Sequence, residues 1–80
     1  MRIPRDLNGP QLIKALGILG YKPTRQSGSH IRLTTTAIGT HHITIPNHRP
    51  IRIGTLASIL DEVAAHHHIG RDELLAKLKL

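Results

Sequence analysis

The sequence predicts an α+β fold of order αβββα with an extra C-terminal helix, and three observations in its 80 residues carry that prediction. Apolar residues recur every three or four positions over 12–19, 56–63 and 74–78, the spacing of one helix face. Residues 30–34 and 40–46 alternate apolar and polar, the repeat of a strand with one buried side. Turn signals at Ser27-Gly28, Gly39 and Gly70 cut these segments to short lengths. Three antiparallel strands with helices on one face follow from this pattern.

In order, Asn8 is a good N-cap and Gln11 completes a capping box, so helix one spans about 9–19 with Leu12, Ile13, Leu16 and Leu19 inward. Pro10 is tolerated in the first turn, and Gly20 is the stop. Tyr21 to Gln26 reads as a strand that Pro23 confines to a sheet edge. In the next strand Ile31 and Leu33 point one way, with His30, Arg32 and Thr34 the other. Strand three, about 40–46, buries Ile43 and Ile45, exposes His42 and Thr44, and is closed by Pro46. Helix two runs from about Ile53 to His66 on Leu56, Ile59, Leu60 and Val63. The last helix, about 71–79, rests on Leu74, Leu75 and Leu78. The whole of 1–80 is expected to form one domain.

Composition narrows the function. Cysteine is absent, which removes disulfides, thiolate zinc sites and thiol nucleophiles together. No apolar run approaches the roughly 20 residues of a membrane span, and Met1-Arg2-Ile3-Pro4 does not resemble the start of a signal peptide, so a cytoplasmic protein with no membrane partner is expected. Residues 1–53 hold eight Lys and Arg against one acid, Asp6, whereas 54–80 hold three against four. Such segregated positive charge is the footprint of a polyanion, usually nucleic acid. Tyr21 is the single aromatic residue, so base-stacking platforms are excluded and the phosphate–sugar backbone is the expected contact.

Seven histidines raise the question of metal or acid–base chemistry. His66, His67 and His68 lie about 100° apart on a helix and do not converge on one ion. His41 and His42 point to opposite faces of a strand, so neither metal nor cofactor is expected. The triplet reads as decoration of a helix end, where partly protonated imidazole suits the dipole. His30, directly after Gly28-Ser29, is the candidate general base, because an imidazole both takes and gives a proton near neutrality. RNA brings its own nucleophile, the ribose 2′-hydroxyl, so a nuclease needs a base, cations for the phosphorane and a proton for the leaving oxygen. Lys22, Arg25, Arg32, Arg49 and Arg52 are the cation candidates, and His48 is a second proton-transfer candidate. Ser29 lacks a triad, since no acid lies between residues 7 and 60. Gly54-Thr55 reads as ordinary helix initiation, and Gly28 as a residue needed for its backbone.

A series of segments in order resembles the HicA family of toxin mRNA interferases. These are Asn8-Gly9, Leu16 to Tyr21, Arg25 to His30 with its Gly-Ser-His signature, Ile45 to His48, and Ile53 to Leu56 followed by Ser58 to Leu60. Together they cover about residues 7–79. The resemblance implies a double-stranded-RNA-binding-domain-like fold and metal-independent cleavage of mRNA that arrests translation and growth. It implies that His30 is the catalytic histidine. Gly28 and Ser29, beside it, join the cations as RNA-binding candidates. It also implies a HicB-type antitoxin covering the site, and the toxin alone is expected to be a monomer. Two departures stand out: Ile31 follows the signature histidine, and the threonine-rich stretch 34–39 alters the loop facing RNA. The competing readings are a non-catalytic RNA-binding module on the same fold, and a histidine-rich metal-binding protein.

Overall fold

Asn8 and Gln11 exchange backbone and side-chain hydrogen bonds of 2.9 Å each, so the first helix begins with two of its loose N–H groups satisfied by this pair. The computed structural model describes residues 3–80; the charge of Arg2 and the start of the Met1–Pro4 reading lie outside them. Helix α1 covers Gly9–Leu16, shorter than the expected 9–19, because Gly17–Leu19 tightens into a 3-10 turn. Gly20, at φ 85°, then ends it in the left-handed region that glycine enters without penalty.

Strands β1 (Lys22–Ser27), β2 (His30–Thr35) and β3 (His41–Pro46) form one antiparallel sheet in the order β1-β2-β3, so β1 is an edge, as Pro23 demands. The β1–β2 turn is Gly28-Ser29, one residue later than the sequence suggested, and Gly28 supplies the positive φ of 58°. Helices α2 (Ile53–His66) and α3 (Arg71–Leu78) complete the expected αβββα order with its extra helix. Leu33, Ile43 and Ile45 from the sheet meet Leu12, Leu16, Leu56, Leu60, Val63, Leu74 and Leu75 in one buried core, which leaves the other sheet face open. Among the described residues no helix is long and apolar enough to cross a membrane.

A β-bulge lies between Pro23 and Arg25. Tyr21 and Arg25 are four apart, and strict alternation would put both on one side. The extra residue lets Tyr21 turn into the core while Arg25 and Ser27 face outward.

Histidines join the core at its rim. The Tyr21 hydroxyl shares a hydrogen bond with Nδ1 of His41 at 2.7 Å, and the His41 ring stacks on His66 at 4.4 Å and 11°. His67 meets the Tyr21 ring edge-on at 5.8 Å. The Nε2–H of His66 donates to the carbonyls of Ala37 (3.1 Å) and Gly39 (3.2 Å), tying the end of α2 to the β2–β3 turn. Burial, then the nearby charge of Glu62, pushes the Tyr21 hydroxyl up to about 12, so it stays protonated. His41 and His67 are both held below the ordinary imidazole value, first by burial and next by His66. A charged His67 would also bury an N–H at Nε2, an atom with no hydrogen-bond partner. This corrects the reading of the triplet as helix-end decoration: His66 is a structural tie and His67 is pushed toward neutrality.

Two predictions follow from the packing. A Cβ on Gly9 would stand 2.8 Å from the Pro46 carbonyl oxygen and 3.0 Å from the Asn47 Cα, both backbone. Gly9→Ala should therefore cost about 1–3 kcal/mol, read as a lower urea midpoint; an unchanged midpoint would contradict the packing. Unfolded imidazoles titrate near 6.5, whereas those of folded His41 and His67 titrate lower. Below about pH 6.5 the unfolded chain thus binds more protons, and stability must fall as pH drops through that window. Melting curves at pH 8 and pH 5 should show the lower midpoint at pH 5.

Candidate active site on the open sheet face

Register builds the site. Directly opposed residues share a face of an antiparallel sheet. His30 is opposite Ser27 on one side and Pro46 on the other. One rung on, Arg32 lies between Arg25 and Thr44, and Thr34 is then opposite His42. The open face therefore carries His30, Arg25 and Arg32, as alternation in the sequence indicates. Its third rung is fastened by hydroxyls: Thr24 to Thr34 at 2.9 Å and Thr34 to Nδ1 of His42 at 2.7 Å.

The segment after β3 is drawn against the start of β2. The Asn47 N–H donates to the Ser29 carbonyl at 2.6 Å, and the Gly9 N–H donates to the His48 carbonyl at 3.0 Å. These bonds bring His48 to the end of the sheet where His30 stands. His30, Thr44, Pro46, His48, Arg52 and Thr55 line one cleft of about 380 Å³. It continues at Thr44 into a basin of about 660 Å³ lined by Arg25, Arg32, His42, Ile43, Thr44 and Glu62.

Electrostatics distinguish this face. His30 and His48 are exposed, and their rings make no hydrogen bond within the described residues. Arg25 and Arg32 are a like-charged pair directly across two strands, and neither has a carboxylate partner among the described residues. Such a pair is unfavourable on its own, and an anion resting on it removes the penalty.

The structure therefore gathers five of the nine residues singled out in the sequence: His30, His48 and Arg52 in the cleft, Arg25 and Arg32 in the basin. Gly28 and Ser29 form the turn beside them, with Ser29 holding Asn47 through its carbonyl. Lys22 lies opposite Thr34, two pairs beyond the Arg25–Arg32 rung, and Arg49 is exposed in the loop; neither lines the cleft or the basin. Thr44 and His42, legible as outward strand positions, join the site, as do Thr55 and Glu62 from α2. Among the described residues no group of three or more His, Asp or Glu is arranged to hold a metal ion. Two imidazoles and a guanidinium on one cleft are the groups that move protons and stabilise charge at a phosphodiester.

No curated protein and no solved structure shows significant similarity to the chain. The model of the HicA toxin of bacterial toxin–antitoxin systems matches residues 9–64, from the start of α1 into the last turn of α2, with every residue of the cleft and basin inside it. The chain belongs to the HicA toxin family.

Proposed function

We propose that this toxin is an endoribonuclease that cleaves mRNA without a metal ion, as one domain over 1–80, and that a HicB-type antitoxin silences it by covering the open sheet face. The observation that carries this reading is the shared cleft of His30, His48 and Arg52, joined to the Arg25–Arg32 pair.

The chemistry follows from those groups. His30 accepts the proton of the ribose 2′-hydroxyl, and the freed oxygen attacks the adjacent phosphorus. The bond from phosphorus to O5′ breaks, and His48 supplies the proton that O5′ takes up. The products are a 2′,3′-cyclic phosphate and a 5′-hydroxyl. Arg52 stabilises the added negative charge on the phosphorane oxygens. Arg25 and Arg32 hold a neighbouring phosphate, which suits a chain with a single aromatic ring and no stacking platform. Growth arrest follows from loss of translatable message, and the free toxin acts in the cytoplasm as a monomer.

His30→Ala should lower cleavage at least about 100-fold while folding and RNA affinity stay close to wild type, because the side chain is exposed. Gel analysis with end-group identification reads this, and wild-type cleavage by the variant would overturn the assignment. Wild-type protein that binds RNA and yields no cyclic phosphate would identify a binding module instead. Cleavage should persist at an unchanged rate in EDTA, and a loss restored by added metal would contradict the two-imidazole mechanism.

A further inference from the structure

Glu62 is the one carboxylate that lines either the cleft or the basin. On α2, Ile59, Leu60 and Val63 are buried while Glu62 is exposed, and the helix packs along β3. Glu62 thus stands at the β3 edge, beside His42, Ile43 and Thr44 and in the same basin as Arg25 and Arg32. Opposite charges sharing one basin normally close on each other, yet Glu62 forms no ion pair or hydrogen bond within the described residues. The two arginines and the carboxylate instead flank an open volume of about 660 Å³, within the range of about 300–1,000 Å³ typical of small-molecule sites.

We infer that the basin is a nucleotide-reading subsite, in which Arg25 and Arg32 take the phosphate next to the scissile one and the Glu62 carboxylate reads the base, selecting guanine. This deepens the ribonuclease reading and rests on it. A carboxylate only accepts hydrogen bonds. Guanine offers two donors side by side, N1–H and the N2 amino group, and both reach the two carboxylate oxygens. Adenine and cytosine each set an acceptor beside their amino group, and uracil flanks its single N–H with two carbonyl oxygens. Each of these turns a lone pair toward the carboxylate. The base needs no stacking partner here, because the arginines anchor its phosphate in a basin that Thr44 also lines.

The test uses a set of short RNAs that differ at the nucleotides flanking one cut site. Cleavage rates are measured with the full-length protein, and affinities with the His30→Ala protein. Wild type should favour guanine at one flanking position by about tenfold, the discrimination of one good bidentate pair. Glu62→Ala should flatten that preference. Glu62→Gln, whose amide presents one acceptor and one donor, should move it toward adenine. Ratios between RNAs within one preparation are independent of how much protein is folded. A base pattern unchanged in both variants overturns the inference while the ribonuclease reading stands. So does an unchanged pattern with loss of antitoxin binding, which would assign Glu62 to a cation of the partner. If the wild-type protein cuts no RNA, the ribonuclease reading fails, and the affinity ratios alone decide the inference: a guanine preference lost in Glu62→Ala supports it, and no preference overturns it.

Discussion

The short hydrogen bond from Asn47 N–H to the Ser29 carbonyl, 2.6 Å, is the constraint on which the site depends. It joins the residue before His30 to the residue before His48, so the two imidazoles are brought to one cleft by backbone, not by their own side-chain contacts. The same loop is held from behind. Gly9 donates to the His48 carbonyl, and Ile51 donates to the Leu7 carbonyl at 2.8 Å. Gly9 is the residue that permits this approach, since any side chain there meets the backbone of Pro46 and Asn47. The contact is made by backbone groups, so neither histidine ring is spent in holding the two together.

The two faces of the sheet are specialised by parity. The inner face takes Leu33, Ile43 and Ile45 into the core, and at its edge His41 reaches the cluster of Tyr21, His66 and His67. The outer face takes Arg25, His30, Arg32, His42 and Thr44. The bulge in β1 reconciles the two demands by burying Tyr21 without turning Arg25 inward. Six of the seven histidines therefore divide into different uses. His41, His66 and His67 are structural, with His41 and His67 held toward the neutral form, His42 is fastened by Thr34, and His30 and His48 have free rings at the cleft.

Much of this was legible in the sequence because period alone carries it. The leucine spacing locates the three helices, and alternation across 30–34 puts His30 beside Arg32 on the outward side. The apolar spacing carries helix one through Leu19 but does not show that its hydrogen bonding tightens to a 3-10 turn at Gly17. The histidine triplet was misread because angular separation on a helix rules out a shared metal but says nothing of what each ring meets across the fold. His66 meets a turn 27 residues away in sequence, at Gly39. Glu62 gave no signal, being one more acid on an amphipathic helix until α2 is laid against β3. The meeting of His48 with His30 likewise depends on a loop-to-turn contact that no local pattern encodes.

The central claim is that the open sheet face, and not the helical side, receives RNA at His30. Titrating isotopically labelled protein with a 2′-O-methyl oligonucleotide, which has no free attacking hydroxyl, tests it directly by NMR. Shifts should appear at His30, Arg32, Thr44, His48 and Arg52 and be absent along α1 and α3. Shifts confined to α1 and α3, with the His30 and His48 signals unmoved, would contradict it.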